Sequence, residues 1–153
     1  MTDNPSGAIH PTRFLLGWLV ASLLLTRFLP LPFPLADEVS ELLGVVLLVP
    51  GAALLLWSQF TLSRAGTSAD HDRETTALVT TGPFRLSRNP IYLALLAILT
   101  GMGLRYQSLW AILLAVFVAW ALRRWTVVPE ERYLTERFGA DYRRYRESVR
   151  RWV

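Results

Sequence analysis

The chain lacks cysteine, and none of its sixteen basic residues is lysine. Without cysteine the protein has no intrachain disulfide, no thiolate metal ligand and no cysteine nucleophile. Without lysine it has neither a Schiff-base residue nor a lysine general base. Only two histidines occur, and because His10 and His71 have no second ligand at metal-binding spacing, the sequence predicts no metal site.

Charge is also scarce, since charged residues make up 18% of the 153 residues and hydrophobic residues 52%. This balance predicts an integral membrane protein, and the length favours one membrane domain over residues 1–153. The formal net charge of +4 favours anionic lipid headgroups as partners. Nucleic acid is not expected as a partner, because the arginines alternate with acidic residues and no binding motif accompanies them.

Four apolar stretches are candidates for membrane spans, since a helix needs about 20 residues to cross a bilayer. They cover residues 14–29, 39–62, 90–104 and 109–128. The first also has the layout of a signal peptide, but no small-x-small cleavage site follows it, which favours a retained helix. A kink is expected at Pro50-Gly51. The polar turn that begins at Arg105 makes the last two spans an antiparallel hairpin.

Arginine placement predicts the orientation of these spans, because positively charged short loops stay in the cytoplasm. The loop 64–89 carries four arginines and the tail 123–153 carries nine. The segments at the other end of the spans carry only Arg27 and Arg105. Both termini are therefore predicted to face the cytoplasm.

After Pro129, apolar residues recur every three or four positions between charges, which predicts an amphipathic cytoplasmic helix over 130–150. Gly139 is expected to end a first segment of this helix. Glu130 and Glu131 fall in its first turn, where carboxylates either complement the helix dipole or bind a cation or a pair of hydroxyls. The predicted fold class is therefore all-α, with four transmembrane helices and a cytoplasmic amphipathic C-terminal helix.

Two polar segments are predicted to meet at the cytoplasmic boundary, one over residues 78–92 and one that begins at Glu130. In the first, a Gly82-Pro83 turn precedes Pro90, which suits the first turn of a helix. The unpaired N–H groups of such a helix start bind an anionic ligand group, or the segment is simply a capped helix start with interfacial arginines. Arg124, near the end of the fourth span, is either a snorkelling side chain or an anchor for a substrate anion.

The polar motifs occur in an order that resembles the isoprenylcysteine carboxyl methyltransferase family and its relatives, the phospholipid methyltransferases. The shared pattern is Leu-Val-x-x-Gly-x-aromatic, Arg-His/Asn-Pro-x-Tyr, a hydrophobic hairpin, Glu-Glu and Phe-Gly-x-x-Tyr-x-x-Tyr-x-x-x-Val. A further segment, 64–67, looks like the family's Gly-Thr loop, so the resemblance covers roughly 64–152. In this chain the pattern consists of Leu78, Val79, Gly82, Phe84, Arg88, Asn89, Pro90, Tyr92, Glu130, Glu131, Phe138, Gly139, Tyr142, Tyr145 and Val149.

The resemblance implies a methyltransferase that uses S-adenosyl-L-methionine and acts on a membrane lipid or a small hydrophobic molecule. It places the cofactor between the 78–92 segment and the start of the tail helix. It assigns no catalytic residue, because positioning alone can drive methyl transfer to a carboxylate or thiolate. The short N-terminal half resembles compact bacterial members, so a bacterial inner membrane is expected. The implied cofactor-binding residues are Leu78, Val79, Gly82, Phe84, Arg88, Asn89, Pro90, Ile91, Tyr92, Glu130 and Glu131.

Two positions depart from the family pattern. Asn89 stands where the eukaryotic enzymes carry histidine, and an amide does not titrate near neutral pH. Thr126 stands where the family has a substrate-binding arginine, which makes Arg124 the candidate for substrate binding. Two other hypotheses are a membrane NADPH-dependent reductase of the same superfamily and a non-enzymatic scaffold whose basic tail binds lipid.

Overall fold

The computed structural model describes residues 11–67 and 77–152. Within these ranges every regular element is helical and no strand is present, as the all-α prediction requires. His10 and His71 lie outside the described ranges, and the described acidic residues form no group that would hold a metal ion. The elements are α1 (Pro11–Phe28), α2 (Asp37–Arg64), a 3-10 turn (Gly82–Arg85), α3 (Pro90–Arg105), α4 (Leu109–Leu122), a π-helical turn (Arg123–Val127) and α5 (Val128–Ser148).

Among the described residues, two helical stretches are long and apolar enough to cross a membrane, namely α2 and the continuous run Leu109–Ser148. The apolar helix α3 is shorter than a usual span. Many large apolar side chains point outward, for example Leu56 on α2 and Val116 on α4, which are 70% and 67% exposed. Such surfaces suit contact with lipid chains. The four-span topology remains a prediction.

Glycines allow α2 and α3 to pack closely along their length. A Cβ atom at Gly101 would lie 2.9 Å from the carbonyl oxygen of Gly44, and one at Gly51 would lie 3.2 Å from that of Ala94. Small residues at these positions let the two backbones approach each other. Gly44 and Gly51 therefore pack within the chain. Helix α2 runs through Pro50 as one element.

Helix α4 packs against both α1 and α3. The indole Nε1 of Trp18 in α1 donates a 2.8 Å hydrogen bond to the carbonyl oxygen of Ala111 in α4, and both residues are buried. The ring of Phe14 stacks on that of Trp125 with centroids 6.1 Å apart. These contacts fix the start of α1 beside the turn between α4 and α5.

The structure differs from the sequence prediction where the fourth span meets the tail helix. The two were expected as separate elements that meet near Pro129, but the chain stays helical from Leu109 to Ser148. A π-helical turn joins them, in which the N–H of Val128 bonds the carbonyl oxygen of Arg123, five residues back. The wider turn shifts the hydrogen-bond register just before Pro129, which has no N–H to donate.

The tail helix bends at Gly139, whose φ of 52° is outside the helical range.

Candidate functional site

The alternating helix directions bring four chain segments together at one end of the bundle. These are the start of α1, the end of α2, the segment that leads into α3 and the start of α5. They enclose a cavity of about 300 Å³. The residues predicted to bind the cofactor line it, with the exception of Gly82: Leu78, Val79, Phe84, Arg88, Asn89, Pro90, Ile91, Tyr92, Glu130 and Glu131.

Gly82 and Arg124 lie outside the cavity lining. Gly82 has a φ of 59°, and a Cβ atom there would lie 3.0 Å from Oγ1 of Thr61. It therefore provides the tight turn that brings Phe84 to the cavity wall. Arg124 is exposed on the π-helical turn.

Tyr92 and Glu130 form the direct link between the two predicted polar segments. The phenolic hydroxyl of Tyr92 donates a 2.9 Å hydrogen bond to Oε2 of Glu130. Tyr92 is in the first turn of α3 and only 5% exposed, whereas Glu130 is in the first turn of α5. The residues around Asn89 and the carboxylate of Glu130 thus face one cavity.

Glu131 has a different environment, because two arginines bind its carboxylate. Nη1 of Arg88 donates to Oε1 at 2.9 Å, while Arg151 donates to Oε1 from Nε at 2.9 Å and to Oε2 from Nη2 at 2.7 Å. The side chains of Arg88 and Glu131 are each 10% exposed. The contact between Arg151 and Glu131 is bidentate, and such a pair has a fixed geometry. Glu131 therefore orders the cavity wall.

The continuous helix also changes the alternative explanation for the two glutamates. Helix-dipole stabilisation needs a free N-terminus with unpaired N–H groups. Helix α5 begins directly after the π-helical turn, and its preceding residue Val127 has helical backbone angles. Glu130 and Glu131 thus have no free helix end to stabilise, which leaves their side-chain contacts as the reason for their placement.

The segment just before α3 is held by the residues that follow α5. The N–H of Arg88 donates to the carbonyl oxygen of Arg150 at 2.9 Å. Oγ of Ser87 and Nδ2 of Asn89 both donate to the carbonyl oxygen of Arg151, at 3.0 and 3.1 Å. One amide N–H of Asn89 is thus engaged with the backbone.

Two tyrosines of α5 complete the polar wall. The hydroxyl of Tyr145 donates a 2.6 Å hydrogen bond to the carbonyl oxygen of Phe84, and Tyr142 is only 2% exposed. Burial, and then the charge of Glu131, raises the pKa of Tyr142 to about 12. Burial also raises the pKa of Tyr145 above its ordinary value, with Tyr142 adding to the effect. Both phenols are therefore neutral at physiological pH.

Thr67 and Gln59 belong to the site but were not among the residues predicted from the sequence, whereas Arg88 was. Within the described residues, Oγ1 of Thr67 and Nε of Arg88 are buried without a hydrogen-bond partner, and both side chains line the cavity. Buried polar atoms without partners are rare in proteins and indicate an absent ligand or water. The Gly-Thr resemblance of 64–67 was the available signal for Thr67. Gln59 lines the cavity from α2, and its signal was an amide within a largely apolar helix.

Fold and site together define a helical protein of membrane character, with a cavity lined by polar and apolar side chains at one end of an apolar bundle. The profile of the phospholipid methyltransferase family matches residues 39–141, which is more than half of the chain. The chain therefore belongs to this family, and the resemblance found in the sequence is confirmed.

Two relatives give the degree of similarity. An uncharacterized protein of Haemophilus influenzae is 36% identical over 63 residues, which cover 41% of this chain and 100% of that protein. The protein-S-isoprenylcysteine O-methyltransferase of Saccharomyces cerevisiae is 29% identical over 140 residues, which cover 88% of this chain and 57% of the yeast enzyme. The chain thus spans little more than half the length of that enzyme. No solved structure matches the chain.

Proposed function

We propose that the protein is an S-adenosyl-L-methionine-dependent methyltransferase that acts on a lipid or small hydrophobic acceptor at the cytoplasmic membrane boundary. Membership of a methyltransferase family supports the reaction class. The main structural support is the hydrogen bond between Tyr92 and Glu130, which joins the two polar segments around one cavity. A bacterial inner membrane, four spans, a single membrane domain and cytoplasmic termini are part of the same proposal.

The residues of the cavity fit the chemical groups of the cofactor. A methionine carboxylate needs donors, and Arg88 and Thr67 present buried polar atoms without a partner among the described residues. The ammonium and ribose hydroxyls need acceptors, which the carboxylate of Glu130 supplies. An adenine ring needs apolar walls, such as Leu78 and Phe84. The cavity of about 300 Å³ is at the lower end of the size range of small-molecule sites.

When bound, the cofactor supplies a methyl group attached to a positively charged sulfur. That sulfur is a good leaving group without further activation. The task of the chain is then to align the acceptor and exclude water. Tyr92 holds the Glu130 carboxylate at the polar end of the cavity. Leu15, Leu55 and Leu95 provide an apolar wall from three different helices, where an acceptor lies away from water. No side chain is assigned to proton transfer.

Cofactor binding tests this proposal. Calorimetry on the detergent-purified protein should show binding of S-adenosyl-L-methionine, whereas NADPH should not bind. Glu130→Ala should weaken binding at least about tenfold, because it removes an acceptor for a cationic or hydroxyl group. Glu147→Ala is the matched control, since Glu147 is an exposed glutamate of the same helix.

Two results would overturn the proposal in favour of the alternatives. Binding of NADPH without S-adenosyl-L-methionine would support a reductase. Absence of both, together with liposome binding that weakens steeply with salt, would support a scaffold with a lipid-binding tail. Incubation with methyl-labelled cofactor and a membrane lipid extract would then identify the acceptor by its label.

A further inference from the structure

The residues that follow α5, 149–152, form a strap across the start of α3. Val149 leaves the helix in an extended conformation, with φ −128° and ψ 133°. The strap then accepts three hydrogen bonds from Ser87, Arg88 and Asn89 through the carbonyl oxygens of Arg150 and Arg151. At its far end Trp152 packs against the buried core of the helices. The strap is thus attached both to the cavity wall and to the bundle.

Within the strap, the side chain of Arg151 points to Glu131. Its guanidinium binds both oxygens of the Glu131 carboxylate, and the hydrogen bond raises the pKa of Arg151 above its ordinary value. Arg151 does not line the cavity, whereas Glu131 and Arg88 do. The hydrogen bonds of the Arg151 side chain thus reach the cavity wall at Glu131, while its backbone carbonyl oxygen reaches the wall at Asn89.

The contacts form a chain that ends at Arg88, whose side chain lines the cavity. Arg151 holds Glu131, and Glu131 holds Nη1 of Arg88 at 2.9 Å. This bond fixes the direction of the guanidinium whose Nε has no partner among the described residues. Because a bidentate arginine–carboxylate pair fixes both distance and plane, Arg151 sets the orientation of Glu131 as well as its charge.

We propose that Arg151 is a positioning residue, which orients Glu131 and Arg88 so that the cavity binds the methyl donor. This inference rests on the proposed function, because the ligand is the proposed cofactor. It adds a segment beyond the helices of the site, namely the strap, to the parts of the chain that determine cofactor affinity.

Calorimetry with S-adenosyl-L-methionine on the full-length, detergent-purified protein tests the role of Arg151. Arg151→Ala should weaken binding at least about tenfold, since Glu131 then loses its bidentate partner and Arg88 its fixed direction. Arg151→Lys keeps the charge but loses the fork geometry, so its affinity should lie between those of Arg151→Ala and the wild type. Arg150→Ala is the matched control, because its side chain is exposed and only its backbone contacts Arg88.

A double-variant cycle shows whether Arg151 acts through Glu131. If Arg151 acts through Glu131, the double variant Arg151→Ala, Glu131→Gln should bind S-adenosyl-L-methionine as tightly as whichever of the two single variants has the lower affinity. If the losses of binding free energy in the two single variants are fully additive in the double variant, the proposal is overturned. A lower melting temperature of Arg151→Ala with unchanged affinity would also overturn it, because it shows a purely structural role. If Arg151→Ala does not fold, Arg151→Lys decides, and wild-type affinity in that variant would contradict the proposal.

The test separates this inference from the proposed function. If the wild-type protein does not bind S-adenosyl-L-methionine, the proposed function fails. If the wild type binds it and Arg151→Ala binds equally well, the role of Arg151 alone is rejected.

Discussion

The hydroxyl of Tyr92 and the carboxylate of Glu130 are 2.9 Å apart, although 38 positions separate them in the chain. Tyr92 is in the first turn of α3 and Glu130 in the first turn of α5, so the bond joins the two ends of the α3–α4 hairpin. Helix α5 continues from α4 without a break. The placement of Glu130 in the cavity therefore depends on how α4 packs against α3.

Loss of the Tyr92 hydroxyl should weaken cofactor binding. Tyr92→Phe keeps the ring but removes the donor that orients Glu130, and a hydrogen bond to a charged group contributes about 1.5 to 3 kcal/mol. We expect roughly tenfold weaker binding of S-adenosyl-L-methionine by calorimetry. Tyr106→Phe is the control, because Tyr106 is 71% exposed and lies in the turn after α3. Equal affinity of the two variants would show that the bond does not shape the cavity.

Neutralisation of Glu131 should destabilise the whole protein. Glu131→Gln leaves Arg88 and Arg151 without their shared negative charge in a site where the Arg88 side chain is only 10% exposed. Removal of one partner from a buried ion pair costs about 3 to 5 kcal/mol. Denaturant unfolding in mixed micelles should therefore show a large loss in the free energy of unfolding. Glu136→Gln, at an exposed position of the same helix, should cause almost none.

The helices were predictable because each depends on a local signal. Continuous apolar runs gave α2 and α3, and Pro90 marked the start of α3. The arginine distribution predicted that the 78–92 segment and the start of the tail helix lie at the same membrane boundary. That they share one cavity was implied by the family resemblance. Sequence periodicity alone does not show which polar segments meet.

The strap and the π-helical turn were not predictable from local patterns. In the sequence, Arg151 is one of many arginines in a basic tail. Only the fold shows that its side chain binds Glu131, 20 positions earlier. At Pro129 a helix boundary was the reasonable prediction, since proline normally interrupts the hydrogen bonds of a helix. The π-helical turn shifts the hydrogen-bond register, so that the helix continues through Pro129. No pattern in the local sequence marks such a turn.

Two glycines with different surroundings should respond in opposite ways to alanine. In Gly101→Ala, the new methyl group would lie 2.9 Å from the carbonyl oxygen of Gly44, so α2 and α3 must move apart at a cost of about 1 to 3 kcal/mol. A Cβ at Gly17 in α1 would have no atom within 4 Å among the described residues outside its own helix backbone, so Gly17→Ala should be neutral or stabilise the helix by up to about 1 kcal/mol. Thermal unfolding in detergent checks both variants. A Gly101→Ala protein as stable as the wild type would contradict this packing.

Alkaline pH should destabilise the fold through Tyr142. Its pKa is raised to about 12 in the folded protein, compared with an ordinary value of 10.0 that applies to the unfolded chain. Between these values the unfolded chain releases a proton that the folded protein keeps. The stabilisation is therefore complete below pH 10.0 and is lost as the pH rises toward 12. Melting temperatures measured from neutral pH to about pH 11 should fall less steeply for Tyr142→Phe than for the wild type. Tyr106→Phe, which removes an exposed phenol, is the control and should retain the wild-type dependence of melting temperature on pH. The same dependence in all three proteins would show that Tyr142 ionises as freely as it does in the unfolded chain.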